Sequence, residues 1–251
     1  MINQYLHTFK PITLEEMKGV KLMNRTDTKY VAPLRLLPAI LRMASMLYDV
    51  QETNNRRIAS YDTLYYDTID FATYIRHHNQ HLIRQKVRIR TYIDSGLTFL
   101  EVKNKNNKGR TKKKRIAVTD HLSLLHPTEE ISQFMQERCW YTTDQLIQTL
   151  YTRFQRITLV NKQRTERITI DMNVQWHNIR NGEKNCLGEV IVLEVKRDGN
   201  TPSPIIHILQ SLRIHPMRMS KYCMGIVMTH TDVKHNRFLP KLRAIQKLQE
   251  L

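Results

Sequence analysis

The chain has few of the residues that build cross-links, leaders or nucleotide loops. Its three cysteines, Cys139, Cys186 and Cys223, lie far apart and form no CxxC pair. That excludes a disulfide framework and a zinc-ribbon signature, and it suits a reducing cytosol. The N-terminus has no apolar leader segment, and no run approaches the roughly 18 apolar residues of a membrane span. The expected location is therefore cytoplasmic. Glycine-rich loops, aromatic-interleaved RNA motifs, internal repeats and low-complexity linkers are all missing, which favours one domain over residues 1–251. Negative charge is also short. Against 40 Lys and Arg there are 23 Asp and Glu, for a net charge of +17. Such an excess implies a polyanionic partner: nucleic acid, an acidic membrane surface or phosphate-rich small molecules. With no RNA motif in support, nucleic acid is not the expected partner.

The densest part of that charge is Arg84-Gln85-Lys86-Val87-Arg88-Ile89-Arg90-Thr91-Tyr92. Read at period two, Arg84, Lys86, Arg88 and Arg90 share one face, and Gln85, Val87, Ile89 and Thr91 share the other, which is the pattern of a β-strand. Four cations on one strand face repel, so facing carboxylates or a polyanionic ligand should compensate them. Other segments repeat the theme: Arg25, Asp27 and Lys29; Glu101, Lys103 and Lys105; Arg167 and Asp171; Glu194 and Lys196. Facing inward, these would line a wet, positive channel; facing outward, they would make a broad basic surface. Parity alone leaves both open.

In chain order, Thr13 to Glu16 reads as a capping box opening a short helix. A helix is expected from Leu36 to Leu47, with Pro38 in its first turn. A strand follows from Ile58 to Asp67, then a short helix or irregular connection from Phe71 to His81. After the basic strand come a strand over Leu97 to Lys105 and a mobile loop over Asn104 to Lys114. Arg115 to Val118 pairs back as a further strand. Residues His121 to Leu150 show no β alternation and read as one or two outer helices. Tyr151 to Val160 and Glu166 to Trp176 form a hairpin. Glu189 to Arg197 is a strand, Pro204 to Leu212 a helix, and 239–251 an amphipathic C-terminal helix.

The succession Arg25-x-Asp27-x-Lys29-Tyr30, Tyr65-Tyr66-Asp67, Val87-Arg88-Ile89-Arg90, Leu100-Glu101-Val102-Lys103, Arg156, Arg167, Asp171, Leu193-Glu194-Val195-Lys196 and Ser220-Lys221-Tyr222 resembles the VTC domain. That is the catalytic domain of vacuolar transporter chaperone-type polyphosphate polymerases, within the CYTH-like triphosphate tunnel metalloenzyme superfamily. The resemblance runs from about residue 20 to 230. It implies an α+β fold: an antiparallel eight-stranded β-barrel, or tunnel, with a polar, basic lumen and helices packed outside. It also implies an ATP-polyphosphate phosphotransferase that moves the terminal phosphoryl of a nucleoside triphosphate onto a polyphosphate chain. By that resemblance Lys29, Arg88, Arg90, Lys103, Arg156, Arg167 and Lys221 match phosphate-binding, catalytic positions, with Lys196 beside them in the ligand-binding set. Glu194 and Glu101 match carboxylates associated with Mn²⁺ or Mg²⁺.

The wider superfamily opens its first strand with Glu-x-Glu-x-Lys, where this chain has Arg25 and Asp27. The departure favours the VTC branch over a carboxylate-rich, hydrolase-type metal site. Yeast-type relatives also carry an SPX domain and membrane helices. This chain has neither, so a stand-alone bacterial-type member is expected, with a separate membrane protein as a possible associate and an oligomeric state that the sequence leaves open.

The chemistry suits these residues. Phosphoryl transfer needs positioning and charge stabilisation more than covalent help, and Arg grips phosphate oxygens bidentately. Arg88 and Arg90 sit about 7 Å apart along a strand, a spacing that suits successive phosphates. Mg²⁺ seldom uses an all-protein cage, so one carboxylate such as Glu194 would suffice beside phosphate oxygens. Competing readings are hydrolysis of tripolyphosphate or nucleoside triphosphate in the same tunnel, and a polyphosphate-binding module without turnover. Asp171 is expected to orient Arg167, Lys105 to Lys114 to be a solvated loop, and His77, His78 and His81 to lack the carboxylates of a metal site.

Overall fold

The computed structural model describes residues 2–17, 20, 25–199 and 201–250. Asn24 at the start of the first charged segment and Leu251 at the end of the C-terminal helix lie outside the described residues. The strands are β1 (Lys10–Ile12), β2 (Arg25–Pro33), β3 (Tyr48–Gln51), β4 (Ala59–Asp67), β5 (Arg84–Tyr92), β6 (Leu97–Lys105), β7 (Thr111–Ala117), β8 (Ile147–Asn161), β9 (Glu166–Asn178), β10 (Lys184–Cys186) and β11 (Val190–Asp198). The helices are α1 (Ile2–Leu6), α2 (Leu14–Met17), α3 (Leu37–Ala44), α4 (Ala72–His78), α5 (Glu129–Arg138), α6 (Pro204–Ser211), α7 (Lys221–Thr229) and α8 (Leu239–Glu250).

Eight strands form one antiparallel, curled sheet in the order β2-β11-β9-β8-β4-β5-β6-β7. The short β1, β3 and β10 pair beside this path. The result is the expected α+β architecture, a half-barrel whose terminal strands β2 and β7 flank the opening. The two faces of the sheet bury different things. On the convex face, Ile157, Leu159, Ile168, Ile170, Leu193 and Val195 pack under α3 and α6. Val87, Ile89, Leu100 and Val102 pack under α5. Burying an aliphatic side chain of this kind contributes about 1.5–3 kcal/mol. Over these stretches the strands turn their apolar parity outward, and the charged parity is left to face the concavity.

The concave face has an apolar half as well. Val31, Leu150, Phe154, Trp176, Val190 and Val192 pack with Tyr222, Cys223 and Ile226 of α7, which closes that end of the curl. The helix lies so close that a Cβ on Gly225 would meet Leu150 and Trp176 carbons at 2.5 Å. Asp67 fixes the arrangement. Fully buried, its carboxylate accepts from the Thr73 hydroxyl at 2.7 Å and the Tyr74 amide at 3.0 Å on α4, and from the Tyr222 hydroxyl on α7.

Several expectations are corrected. Lys112 to Lys114 belong to β7 rather than to a loop, because Thr111 to Ala117 pairs fully with β6; the turn is confined to residues 106–110. Residues 121–150 hold the ten-residue α5 and a 3₁₀ turn at Thr143–Gln145, but β8 begins at Ile147, inside the stretch read as helical. The short β1, β3 and β10 have no counterpart in the sequence reading. The Thr13–Glu16 capping box is present: the Thr13 amide donates to Glu16 at 2.7 Å, and the Glu16 amide donates to the Thr13 hydroxyl at 3.2 Å.

Candidate functional site

Strand register assembles the site. Glu194 lies opposite Lys29, Lys196 opposite Asp27 and Arg167, Arg156 opposite Asp171, and Arg88 opposite Glu101. All ten residues singled out above, Lys29, Arg88, Arg90, Glu101, Lys103, Arg156, Arg167, Glu194, Lys196 and Lys221, stand on the concave side. Curling brings distant strands together, so Lys103 on β6 feels the charges of Glu194 on β11 and Lys29 on β2.

Three carboxylates are each held between two cations. Glu101, with no exposed side-chain surface, accepts from Arg88 at 2.6 Å and from Lys113 at 2.6 Å. Asp171 accepts from Arg156 Nε at 2.5 Å and Nη2 at 2.8 Å, and pairs with Lys221. Glu194 pairs with Lys29 at 2.5 Å and with Lys196. Burial alone would raise each acid; the paired cations outweigh it and hold Glu101, Asp171 and Glu194 well below the usual carboxylate range. Asp171 therefore serves Arg156 and Lys221, not Arg167 as expected.

The cations outnumber these acids. Among the described residues, Lys86, Arg90, Lys103 and Arg167 form no ion pair. Arg90 donates to the Thr63 hydroxyl at 3.1 Å, and its guanidinium lies 5.4 and 5.5 Å from the Tyr61 and Phe154 ring centres. The Nε of Arg167 is buried without a hydrogen-bond partner, as is the hydroxyl of Thr169 two residues on. Crowding shows in the titration of the lumen. Burial pushes Lys103 down to about 8, against the pull of Glu194 and with the help of Arg88, Lys29 and Lys86. Lys196 falls to about 8, again chiefly through burial, with Glu194 opposing. Burial would raise the Tyr65 phenol, but Arg88, Arg90 and Lys86 together bring it down to about 8.

The N-terminus of α7 enters this surface. Ser220 caps it, accepting from the Cys223 amide at 3.3 Å, and Lys86 donates to the same hydroxyl at 2.7 Å. The helix thus turns the positive end of its dipole toward the lumen, with Lys221 as its first residue.

Sequence reasoning gave no role to Lys113, Tyr65, Thr169 or Lys86. Lys113 was hidden in an apparent loop, although it has the parity of Arg115. Tyr65 and Lys86 stood in quoted motifs whose orientation was open. Among the described residues no three His, Cys, Asp or Glu side chains gather to hold an ion. His78 contacts Asn79 at 3.0 Å and accepts from the Arg237 amide at 3.4 Å.

A curled antiparallel sheet with an ion-paired, net-positive concave face is the architecture of the triphosphate-tunnel fold. The chain belongs to the VTC domain family, whose pattern it matches over residues 24–230. No curated protein matches it in sequence. Among solved structures, HpAC1 from Hippeastrum, described as a candidate adenylyl cyclase with a dominant triphosphatase activity, is 13% identical with a TM-score of 0.50. The alignment covers 85% of this chain and 100% of that one. A candidate adenylate cyclase from Bacillus halodurans is 13% identical over 79% of this chain and 96% of its own, with a TM-score of 0.48. One from Vibrio parahaemolyticus is 10% identical over 81% and 99%, with a TM-score of 0.47. At 13% identity the likeness to HpAC1 concerns the fold alone. Among the described residues, no helix is long and apolar enough to cross a membrane.

Proposed function

We propose that the chain, read as one domain, is a metal-dependent polyphosphate polymerase. It would transfer the terminal phosphoryl of a nucleoside triphosphate to a growing phosphate chain within the concave face. The observation that carries this reading is the excess of unpaired cations over a few clamped carboxylates. Such a surface is built for a polyanion and cannot be satisfied from within the protein.

In this reading Arg88 and Arg156, held in place by Glu101 and Asp171, present guanidinium edges to phosphate oxygens. Arg90, wedged by Tyr61 and Phe154, and the unpaired Arg167 extend the same row. Lys29, Lys103, Lys196 and Lys221 supply point charges, and the N-terminus of α7 adds amide donors. Because the acceptor is itself phosphate, no protein nucleophile is required.

The residues fit a metal held by one carboxylate, and Glu194 is the better placed. Its side chain keeps 17% of its surface accessible while Glu101 has none, and each carboxylate oxygen has a further lone pair beyond its lysine contact. A Mg²⁺ or Mn²⁺ ion there would take its remaining ligands from phosphate and water and neutralise charge on the transferring group.

The test is to incubate the protein with ATP and Mn²⁺ or Mg²⁺, with and without a short polyphosphate primer, and to resolve the products on a gel beside Glu194→Ala. Long chains that disappear in the variant support the polymerase. Free phosphate alone would replace it with hydrolysis in the same lumen, and binding without turnover would leave a polyphosphate-binding module.

A further inference from the structure

Behind the sheet, on the side away from the lumen, one patch of surface is both apolar and basic. Trp140, just after α5, is 44% exposed, and Leu82 and Ile83, the two residues before β5, are 61% and 50% exposed. Ile83 and Trp140 share an anchor. The Trp140 amide donates to Gln85 Oε1 at 2.9 Å, and Ile83 stands two residues ahead of Gln85 with the same convex parity. The indole itself projects, with the Arg76 guanidinium 5.5 Å from its ring centre in a cation–π contact. From Gln85 a polar row crosses the sheet. Its Nε2 donates to Asn104 Oδ1 at 2.6 Å, and both side-chain amides donate to the Arg138 carbonyl at 3.1 Å. Lys112 stands directly opposite Asn104, two strands and about 10 Å from Gln85. Lys114 shares its face, and the exposed turn 106–110 adds Lys108 and Arg110. Glu137, the acid beside Arg138, already pairs with it at 3.1 Å. Among the described residues, Arg76, Lys108, Arg110, Lys112 and Lys114 form no ion pair.

We propose that this patch docks the protein on a bilayer rich in anionic lipid, with Trp140, Leu82 and Ile83 entering the headgroup region and Arg76, Lys112 and Lys114 meeting lipid phosphates. An indole and branched aliphatic side chains set among cations suit the boundary between headgroups and acyl chains. The unpaired cations give the apolar residues a partner of stated sign, since each adds attraction to a negative membrane surface. A second copy of the chain is a poor occupant. It would bring Arg76, Lys112 and Lys114 against their own counterparts, with Glu137 already committed to Arg138. The contact is peripheral, because among the described residues no helix is long and apolar enough to cross a membrane. Docking through the convex side leaves the concave face open, and the inference does not depend on what the lumen binds.

Titration of the whole chain with vesicles of phosphatidylcholine, alone and mixed with phosphatidylglycerol, tests this. The chain has two tryptophans, and Trp176 is buried, so a change in emission on adding vesicles reads Trp140. The wild type should bind the anionic vesicles at least tenfold more tightly than the neutral ones. Its emission should shift to the blue and be quenched by brominated acyl chains. Leu82→Ser/Ile83→Ser alters no charge and should bind the anionic vesicles roughly tenfold more weakly. Trp140→Ser, followed by flotation, should show a loss of the same order. Met46→Ser, which changes an apolar side chain 76% exposed on another surface, should bind as the wild type does. All four side chains face solvent, so thermal melts of the variants should match that of the wild type. Equal binding by the wild type and the Leu82/Ile83 variant, with unshifted emission, would mean that a net charge of +17 adheres to any anionic surface, and would overturn the proposal. A wild type that binds neither vesicle overturns it as well and turns the patch over to an acidic protein partner.

Discussion

Lys221, the first residue of α7, ion-pairs with Asp171 in the middle of β9, the same carboxylate that Arg156 grips with Nε and Nη2. One acid thus ties the closing helix to the sheet and orients two cations. The arrangement recurs at Glu101 and Glu194, so the lumen keeps its cations ordered while remaining net positive.

Asp171→Asn should leave Arg156 and Lys221 facing each other with little between them. Losing the charge of so buried a partner costs about 3 kcal/mol. A bound polyanion replaces part of the missing charge, so tripolyphosphate should raise the melting temperature of the variant by more than that of the wild type. Thermal melts with and without ligand measure both effects; equal ligand increments would count against the clamp.

Arg167 gives the opposite trade. Burial and the neighbouring Arg25 and Arg156 work against its charge, and its Nε has no partner. Arg167→Met should therefore leave the free protein as stable as the wild type or more so, by about 1 kcal/mol, while weakening tripolyphosphate binding roughly tenfold. Urea unfolding and calorimetry read the two quantities separately. Lost stability with unchanged affinity would make Arg167 a structural residue.

Gly225 is needed for space, not for backbone freedom. Gly225→Ala should cost about 1–3 kcal/mol, since its Cβ must push into Leu150 and Trp176. Denaturant midpoints test this; a variant as stable as the wild type would mean that α7 can lift from the sheet at no cost.

The pH dependence of binding follows from Lys103, Lys196 and Tyr65, all near 8 in the free lumen. Below that value the lysines are charged and the phenol is neutral, the state that an anion prefers. As pH rises past 8 the lysines lose charge and the phenol gains a negative one, so binding must take up protons and affinity should fall. Titration between pH 7 and pH 9, in two buffers of different ionisation enthalpy, reports the uptake directly. Affinity that stays level across the interval would remove these groups from the site.

Much of the sheet was legible because one face of each strand had to be apolar. Val87 and Ile89 against Arg88 and Arg90, and Leu193 and Val195 against Glu194 and Lys196, alternate cleanly for that reason. The first half of β7, Thr111 to Lys114, escaped because, as part of a terminal strand, it meets solvent on its convex side too, and Lys112 and Lys114 erase the alternation there. The start of β8 escaped for the converse reason. Thr149 and Leu150 are both fully buried on opposite faces, so no polar parity marks the strand. Parity gave the membership of the charged face but not its direction. The direction is set by where α3, α5 and α6 pack, a matter of tertiary contact. Asp171 was misassigned because sequence spacing points along β9 to Arg167, whereas its partners come from β8 and α7.

The most direct test of a phosphate-binding concave face is calorimetric titration of tripolyphosphate into the wild type and into Arg88→Ala/Arg90→Ala. Two charge-assisted guanidinium contacts should be worth on the order of 100-fold or more in affinity, so the wild type should bind saturably and the double variant should lose most of that affinity while remaining folded. Unchanged binding by a folded double variant would place the anion elsewhere and contradict the account.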